Sequence, residues 1–239
     1  MSRRALGERV QVSDSAVAAW EVGRNIPDPK TLKSVERILG TDGLLEDIVD
    51  NMVMGEKPEE YLGKWVNAET QASLLLRFSF DVIPGLLQIE EYARAILRDD
   101  EQVKARIDRQ KILAKEDPPV LVALIDESVL RRNVGGSQVM RDQLNHLAER
   151  TAHDHVIVQI IRMSSAVCAQ YVASFSIASY NSDSGAVYSD NAVSAEVVGN
   201  PDVVSKLRRT FEMLRKHAIS EEESIRLIKE VAEAWTKKI

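Results

Sequence analysis

Residues 2–27 have the sequence SRRALGERVQVSDSAVAAWEVGRNIP, which predicts two short helices joined by a tight turn. The first helix covers Ser2–Val10, has its apolar side chains on one side, and stops at the Gln-Val pair that follows. Ser13 is a favourable N-cap for the second helix, because its hydroxyl can accept a hydrogen bond from a free backbone N–H. Val17 and Trp20 are three residues apart and give the second helix an apolar face.

The helical pattern continues beyond this stretch. Gly23 terminates the second helix, and two nearby prolines delay the third helix until Thr31. The third helix ends at Gly40, and its apolar face consists of Leu32, Val35, Ile38 and Leu39. Residues 44–54 form a further amphipathic helix, and residues 55–58 form a linker. We therefore predict a small all-α domain over residues 1–55.

The remainder of the chain mixes strands with helices. Residues 120–125 lack polar side chains, which indicates a strand buried on both faces. The other predicted strands are a short one over 78–82, one over 156–161, one over 171–178 with one mixed face, and one over 186–189. The predicted helices cover 65–76, 89–98, 102–115, 137–151, 201–217 and a last helix that begins with a capping box of Ser220 and Glu223. The fold class is α+β, with a larger mixed α/β domain and a small sheet over residues 60–239.

Composition restricts the class of protein. The chain has 239 residues, of which 44% are hydrophobic and 28% charged, as in ordinary globular proteins. Its longest apolar run is the six residues Val120–Ile125, whereas a membrane helix needs about 20. No apolar stretch of signal-peptide length follows the N-terminus, so a cytoplasmic location is expected. Cys168 is the only cysteine, which excludes an internal disulfide and a multi-cysteine metal site; we predict that its thiol is buried.

Charge is distributed unevenly along the chain. Residues 1–40 contain seven basic and five acidic side chains, a charge of +2, within a total of -6. The remaining residues therefore carry -8. A basic head on an acidic body can contact a polyanion with one end while the other end stays away from it.

The first 27 residues resemble the helix-turn-helix of Xre, or lambda-repressor-like, regulators. The resemblance depends on the helix-turn-helix spacing, on Glu21-x-Gly23-Arg24 at the end of the second helix, and on Pro27. In such proteins the second helix lies in the major groove of double-stranded DNA. The resemblance implies that Asp14, Ser15 and Ala19 face bases, that Ala16 and Ala18 lie near the groove wall, and that Arg3, Ser13 and Arg24 approach phosphates.

The chemistry of these positions leaves alternatives open. Ser15 can donate or accept, Ala19 can pack on a thymine methyl group, and Asp14 can accept from a cytosine amino group. Asp14 can instead simply complement the helix dipole, and Glu21 is interpreted as a structural acid. Phosphate neutralisation by arginine contributes affinity without sequence preference.

Xre-class domains begin with an additional helix that covers the apolar face of the other two. Only Met1 precedes the first predicted helix of this sequence. We therefore expect the helix-turn-helix domain to be N-terminally incomplete, through an upstream start or loss of the N-terminus, and DNA binding to be weaker as a result.

A second resemblance covers most of the remaining chain. The residues that carry it occur in order: Trp65, Glu69, Ala72, Ile83-Pro84-Gly85-Leu86-Leu87-Gln88, Tyr92-Ala93-Arg94, Arg106-x-x-Arg109-Gln110, Asp126-Glu127-x-x-Leu130-Arg131, Gly135-Gly136 and Met140-Arg141-x-Gln143-Leu144. This segment resembles the C-terminal domain of unknown function that follows an Xre helix-turn-helix in antitoxin-like bacterial regulators. The resemblance implies a regulator whose larger domain binds a partner, often a small protein encoded nearby.

Two features of the larger domain have more than one interpretation. Leu86 and Leu87, which follow Pro84-Gly85, either pack in the core or face a partner. The arginines either pair with acidic side chains inside the domain or bind an anionic ligand; the arginines are Arg106, Arg109 and Arg131, and the acids are Glu91, Asp126 and Glu127.

Signals for catalysis are weak, and we expect no enzyme, no metal and no cofactor. Gly135-Gly136-Ser137 lacks the lysine of a P-loop and the third glycine of a dinucleotide-binding turn. His153 and His155 flank Asp154 where a solvated turn is expected, although a metal site is the alternative. No catalytic companion of Cys168 is identifiable.

The sequence therefore favours a transcriptional regulator that binds DNA. It is expected to act as a homodimer, because one small helix-turn-helix makes too few contacts for useful specificity. The alternatives are a protein-interaction adaptor or a small-molecule sensor with weak or no DNA binding.

Overall fold

The computed structural model describes residues 1–22, 24–41, 43, 45, 49, 58–97, 99–170, 173–180, 184–190 and 195–237. The chain divides into two compact units, Met1–Glu60 and Tyr61–Ile239. The helix predicted over 44–54 and the linker predicted over 55–58 lie largely outside the described residues. Among the described helices, none is both long and apolar enough to cross a bilayer.

The smaller unit contains three described helices: α1 Arg3–Val10, α2 Asp14–Glu21 and α3 Pro29–Leu39. Ser2 is the N-cap of α1, and Gln11 ends that helix in the left-handed conformation with a φ of 61°. The first two helices therefore confirm the prediction from the sequence. Val17, Leu32 and Val35 are buried and form the centre of this unit.

The prediction for α3 is partly wrong. The helix begins at Pro29 rather than Thr31, because proline fits the first helical position, where no intrahelical N–H bond is lost. Asp28 is the N-cap, and its Oδ1 accepts hydrogen bonds from the backbone N–H groups of Lys30 and Thr31, each at 3.1 Å. Leu39 was predicted to face inward, but 46% of it is exposed next to the left-handed Gly40 that ends the helix.

The larger unit contains a six-stranded sheet with the order β3-β2-β1-β4-β5-β6. The strands β1, β2 and β3 are parallel, and the remaining pairs are antiparallel. Their bounds are Leu74–Ser79 for β1, Val120–Asp126 for β2, Val156–Ile161 for β3, Phe175–Ser179 for β4, Gly185–Asp190 for β5 and Ala195–Val198 for β6. The strand predicted over 156–161 is confirmed, and β6 was not predicted.

Helices precede the first strand, connect the parallel strands and follow the last strand. They are α4 Pro58–Gln71, α5 Glu90–Leu97, α6 Asp100–Arg109, α7 Glu127–Arg131, α8 Ser137–Arg150, α9 Pro201–Arg215 and α10 Glu221–Thr236. Short 3-10 turns occur at Gly85–Leu87, Gln110–Ala114 and Ala166–Gln170. Each parallel strand pair is joined through helices, as such crossovers require. The combination of helices with a mixed sheet confirms the α+β prediction.

The sheet is covered on both faces. Leu121, Ala123 and Ile125 of β2 belong to one core cluster, whereas Val122 and Leu124 belong to the other. Side chains from α4, α8 and α10 complete the first cluster, and side chains from α9 complete the second. A strand between two cores needs apolar residues at every position, which explains the unbroken aliphatic run in the sequence.

Several predicted elements in the larger unit differ from the structure. The helix predicted over 65–76 ends at Gln71, and Leu74–Leu76 begin β1 instead. The three consecutive leucines continue the apolar spacing of a helix. They form a strand instead, because they pair with β2 and β4. All five side chains of β4 are buried, so the predicted mixed face is wrong there.

Candidate nucleic-acid interface

The junction between α1 and α2 is built from local hydrogen bonds. The Oγ of Ser13 accepts a hydrogen bond from the N–H of Ala16 at 3.1 Å and caps α2. The N–H of Val12 donates to the carbonyl oxygen of Gly7 at 2.9 Å, which closes the end of α1. Gly7 is required at this position, because a Cβ there would lie 2.7 Å from the carbonyl oxygen of Val12. The two helices are thus joined by a short, tightly packed turn.

The leading turn of α2 contains two of the three predicted base-facing residues, Asp14 and Ser15. Asp14 and Ser15 are exposed, whereas Ala16 and Ala19 are partly buried. The hydroxyl groups of Ser13 and Ser15 share a hydrogen bond of 2.8 Å. The Ser13 hydroxyl therefore caps the helix, and the Ser15 hydroxyl keeps capacity for further partners. The structure places Asp14 and Ser15 together at the solvent-facing start of α2, whereas Ala19, the third predicted base-facing residue, lies one turn further along the helix.

The predicted phosphate-contacting arginines have different local partners. The Nε of Arg3 lies 2.5 Å from Oε2 of Glu21, and this ion pair ties α1 to the end of α2. Glu21 is therefore the structural acid predicted from the sequence. Arg24 is exposed just after α2, and its backbone N–H donates to the carbonyl oxygen of Ala19 at 2.9 Å. Arg24 forms no ion pair with a described residue, whereas a phosphate must compete with Glu21 for Arg3.

Other cations of the smaller unit also face solvent. The exposed basic side chains are Arg3, Arg4, Arg9, Arg24, Lys30, Lys33 and Arg37. Arg4 forms an exposed ion pair with Glu8 at 3.1 Å, one turn along α1. Such exposed pairs are weak and yield readily to a competing phosphate.

In the larger unit, the predicted pairing of arginine with acid is only partly correct. Arg131 pairs with Glu127 at 2.7 Å, as predicted. Arg109 instead pairs with Glu69, which was not among the predicted partners. Arg106 donates to the amide oxygen of Gln88 at 2.9 Å rather than to a carboxylate. The Arg109–Glu69 pair was not predictable from the sequence, because its two members lie on different helices, α6 and α4, that only the fold brings together.

The turn Gly85–Leu87 contributes to the core. Leu86 is 5% exposed and Leu87 is fully buried, which confirms the interpretation that these leucines face inward. Gln110 fixes the turn, because its Nε2 donates to the carbonyl oxygens of Gly85 and Gln88 at 2.9 Å and 2.7 Å.

The residues that gave weak signals for catalysis have the following surroundings in the structure. Gly135 and Gly136 both have positive φ, and Gly136 is the N-cap of α8. The Nε2 of His155 lies 3.0 Å from the carbonyl oxygen of Leu113. Within the described ranges, no three His, Cys, Asp or Glu side chains form a metal-binding group. Cys168 is only partly buried, a correction to the predicted buried thiol; desolvation and a hydrogen bond to Asp126 raise its pKa to about 12.

Comparison with protein families identifies both parts of the chain. A helix-turn-helix family matches residues 1–44, which supports a DNA-binding transcription regulator. No curated protein matches significantly. No solved structure matches significantly either. A family described as "Domain of unknown function (DUF5753)" matches residues 62–230, well over half of the chain. The chain therefore belongs to the DUF5753 family, with a helix-turn-helix at its N-terminal end.

Proposed function

We propose that this protein is an antitoxin-like transcriptional regulator in the cytoplasm, which binds a short DNA operator as a homodimer and acts by binding rather than by catalysis. The observation that carries the proposal is the capped and exposed start of α2, where Ser13, Asp14 and Ser15 stand together after a tight turn. A helix end of this kind fits the major groove.

Base reading is assigned to the first two turns of α2. Asp14 accepts from a cytosine amino group, Ser15 donates to or accepts from a base edge, and Ala19 packs against a thymine methyl group. Ala16 lies beside the groove wall. The backbone of DNA is contacted by Arg3, Ser13 and Arg24. Each good base contact contributes about 1–3 kcal/mol of discrimination, so these few contacts favour two copies of the protein on one operator.

The larger unit is assigned to a partner, a small protein encoded nearby. Its sheet is packed on both faces, so the unit has a complete core of its own with which to present a binding surface. Isothermal titration of the full chain with the purified neighbouring gene product tests this assignment. Saturable binding of one partner per chain supports it, and absence of heat together with separate elution in gel filtration contradicts it.

DNA binding is tested with Arg24→Ala in a mobility-shift assay on the protein's own promoter. Removal of one phosphate contact weakens binding to all sequences alike and reduces the slope of log affinity against log salt by about 0.9. Arg226→Ala is the matched control, because Arg226 is an exposed arginine on α10 of the larger unit. A loss confined to one operator base contradicts the phosphate role, and no shift of any duplex at low salt contradicts DNA binding.

A further inference from the structure

The helix α9 of the larger unit is basic within a chain that is acidic as a whole. Together with its C-cap Lys216, it contains five basic side chains and two acidic ones, a charge of +3 in a chain whose total is -6. The acids are Asp202, in the first turn where the helix dipole favours a negative charge, and Glu212. The bases are Lys206, Arg208, Arg209, Arg215 and Lys216. The dipole accounts for bases in the last turn but not for the three that precede it.

Three of these bases lie on the exposed face of the helix and are here called the α9 stripe: Lys206, Arg209 and Lys216. At about 100° per residue, they fall within an arc of about 80° around the helix axis. From the first to the last they extend over about 15 Å, at 1.5 Å per residue. The opposite face of α9 packs in the core through Phe211 and Leu214. The stripe is therefore directed towards solvent.

The described residues do not neutralise the charge of the stripe. None of its three members forms an ion pair with any residue in the part of the chain that the structure describes. The two partly buried arginines of α9 have neutral acceptors. Nη2 of Arg208 donates to the hydroxyl of Ser179, and Nε of Arg215 donates to the amide oxygen of Gln159, each at 2.9 Å. All five positive charges thus contribute to the potential around this helix.

The length and composition of the stripe favour an extended polyanion as its partner. About 15 Å along one strand of DNA contains about four phosphates, whereas a small anion contacts only one or two such side chains. Within α9, Met213 is the one large apolar side chain that is exposed, at 57%. The core of an interface between proteins is apolar and depleted in lysine, whereas interfaces with DNA are polar and strongly basic. The α9 stripe has the composition of a DNA interface.

We propose that the α9 stripe binds the phosphate backbone of double-stranded DNA, as a second contact surface that does not depend on base sequence. The inference rests on the proposed binding of DNA by α2 and adds affinity to it rather than specificity. Because both surfaces belong to one chain, a duplex bound by α2 has a high effective concentration for the larger unit. A few phosphate contacts are then enough to raise the affinity.

The double substitution Lys206→Gln with Arg209→Gln, in the full chain, tests the inference. The matched control is Arg226→Gln with Lys229→Gln on α10, because these two bases are also exposed and also three residues apart. Fluorescence anisotropy over a salt series measures affinity for the protein's own promoter and for an unrelated duplex. Circular dichroism verifies that each variant is folded.

The α9 variant should bind both duplexes about tenfold more weakly at low salt. Its slope of log affinity against log salt should fall by about 1.8, because two phosphate contacts are lost. The control variant should keep the wild-type affinity and slope. An equal loss in the two variants would indicate a general effect of net charge and overturn the inference.

The remaining outcomes separate this inference from the proposed function. A wild-type slope in the folded α9 variant, with normal binding of the promoter, overturns the inference and leaves DNA binding by α2 intact. If the wild type binds neither duplex, the proposed function and the inference both fail. Unchanged DNA binding in the α9 variant, together with lost binding to poly-L-glutamate, would assign the stripe to an acidic protein instead of DNA.

Discussion

At the level of single residues, Ser13 has two roles, and one substitution alone cannot distinguish their effects. Its hydroxyl caps α2 through the N–H of Ala16, and it also lies where a DNA phosphate is expected. Ser13→Ala removes both roles, whereas Ser13→Asp keeps the cap but places a negative charge beside the phosphates. The pair of variants therefore separates helix stability from DNA contact.

We expect Ser13→Ala to lower the stability of α2 by about 1 kcal/mol and Ser13→Asp to leave it nearly unchanged. Both variants lose DNA affinity, and Ser13→Asp loses more because like charges repel. Hydrogen exchange of the α2 amides measures stability, and a mobility-shift assay measures affinity. Wild-type affinity in Ser13→Asp would contradict a position close to phosphate.

Glu69 and Arg109 form an ion pair, and replacing one member should change the free energy of unfolding differently from replacing the other. Their side chains are 4% and 16% exposed. Burial raises the pKa of Glu69 despite the attraction of Arg109, so the folded state favours the protonated acid. The stability linked to this proton is complete below the unfolded-state value of 4.5 and is lost as pH rises through the raised folded-state pKa.

Glu69→Gln should therefore be at least as stable as the wild type near neutral pH, because Gln still accepts the Trp65 hydrogen bond without a buried charge. The difference should vanish below pH 4.5, where wild-type Glu69 is neutral in both states. Arg109→Met leaves the carboxylate buried without its counter-ion and costs about 3–5 kcal/mol near neutral pH. Urea unfolding at both pH values measures these differences. Equal losses in the two variants near neutral pH would contradict the assignment.

The Glu69–Arg109 ion pair of the larger unit was harder to predict from the sequence than the helix cap at Ser13. Ser13 can be predicted to be a cap from its position before an apolar helix, because capping is a local interaction. The partners Glu69 and Arg109 are 40 residues apart in the chain, so their contact is determined by the fold. Arg77 does stand out in the sequence, because it is a single charge within the apolar strand Leu74–Ser79.

At the scale of elements, the close approach of α1 to the following turn makes Gly7 a sensitive position. Alanine normally stabilises a helix by about 1 kcal/mol relative to glycine. At Gly7 the added Cβ would lie 2.7 Å from a backbone oxygen, so the turn must move. Gly63 on α4 is a matched control, because a Cβ there meets no atom within 4 Å.

Gly7→Ala should destabilise the smaller unit by about 1–2 kcal/mol, whereas Gly63→Ala should stabilise α4 by about 0.5–1 kcal/mol. Hydrogen exchange in α1 and α4 reports each effect separately. A stabilising Gly7→Ala would show that the turn relaxes freely and that its close packing does not determine the angle between α1 and α2.

Elements with strong local signals were predictable. The capping box of Ser220 and Glu223 is confirmed at 3.2 Å and 3.3 Å, because its hydrogen bonds are local. The aliphatic strands β2 and β3 are likewise confirmed, because burial on both faces requires aliphatic runs. The boundary between α4 and β1 was missed because Leu74–Leu76 suit either element, and sheet pairing decides between them. The four-residue strand Ala195–Val198 is too short for a clear alternating pattern.

At the scale of the whole molecule, charge and symmetry should determine how DNA is bound. The first 40 residues carry +2 and the remaining residues -8, so attraction to DNA outside the α9 stripe is confined to one end of the chain. One α2 helix presents few side chains to base edges. A homodimer doubles these contacts, and its twofold symmetry requires two inverted half-sites on one face of the duplex.

The spacing of those half-sites gives a direct test of the proposed dimer. Recognition helices of such a dimer lie about 34–36 Å apart, so half-sites centred about 10 base pairs apart should bind most tightly. Insertion of about five base pairs rotates one half-site to the opposite face and should reduce affinity by at least about tenfold, because only one helix then engages. Insertion of a full helical turn of DNA is the control, because it returns the two half-sites to the same face of the duplex but leaves them further apart than the recognition helices.

Mobility-shift titrations on these duplexes, with sedimentation of the free protein, measure both affinity and oligomeric state. Affinity that is independent of spacing, in a protein that sediments as a monomer, would contradict the dimer and leave each helix-turn-helix to act alone.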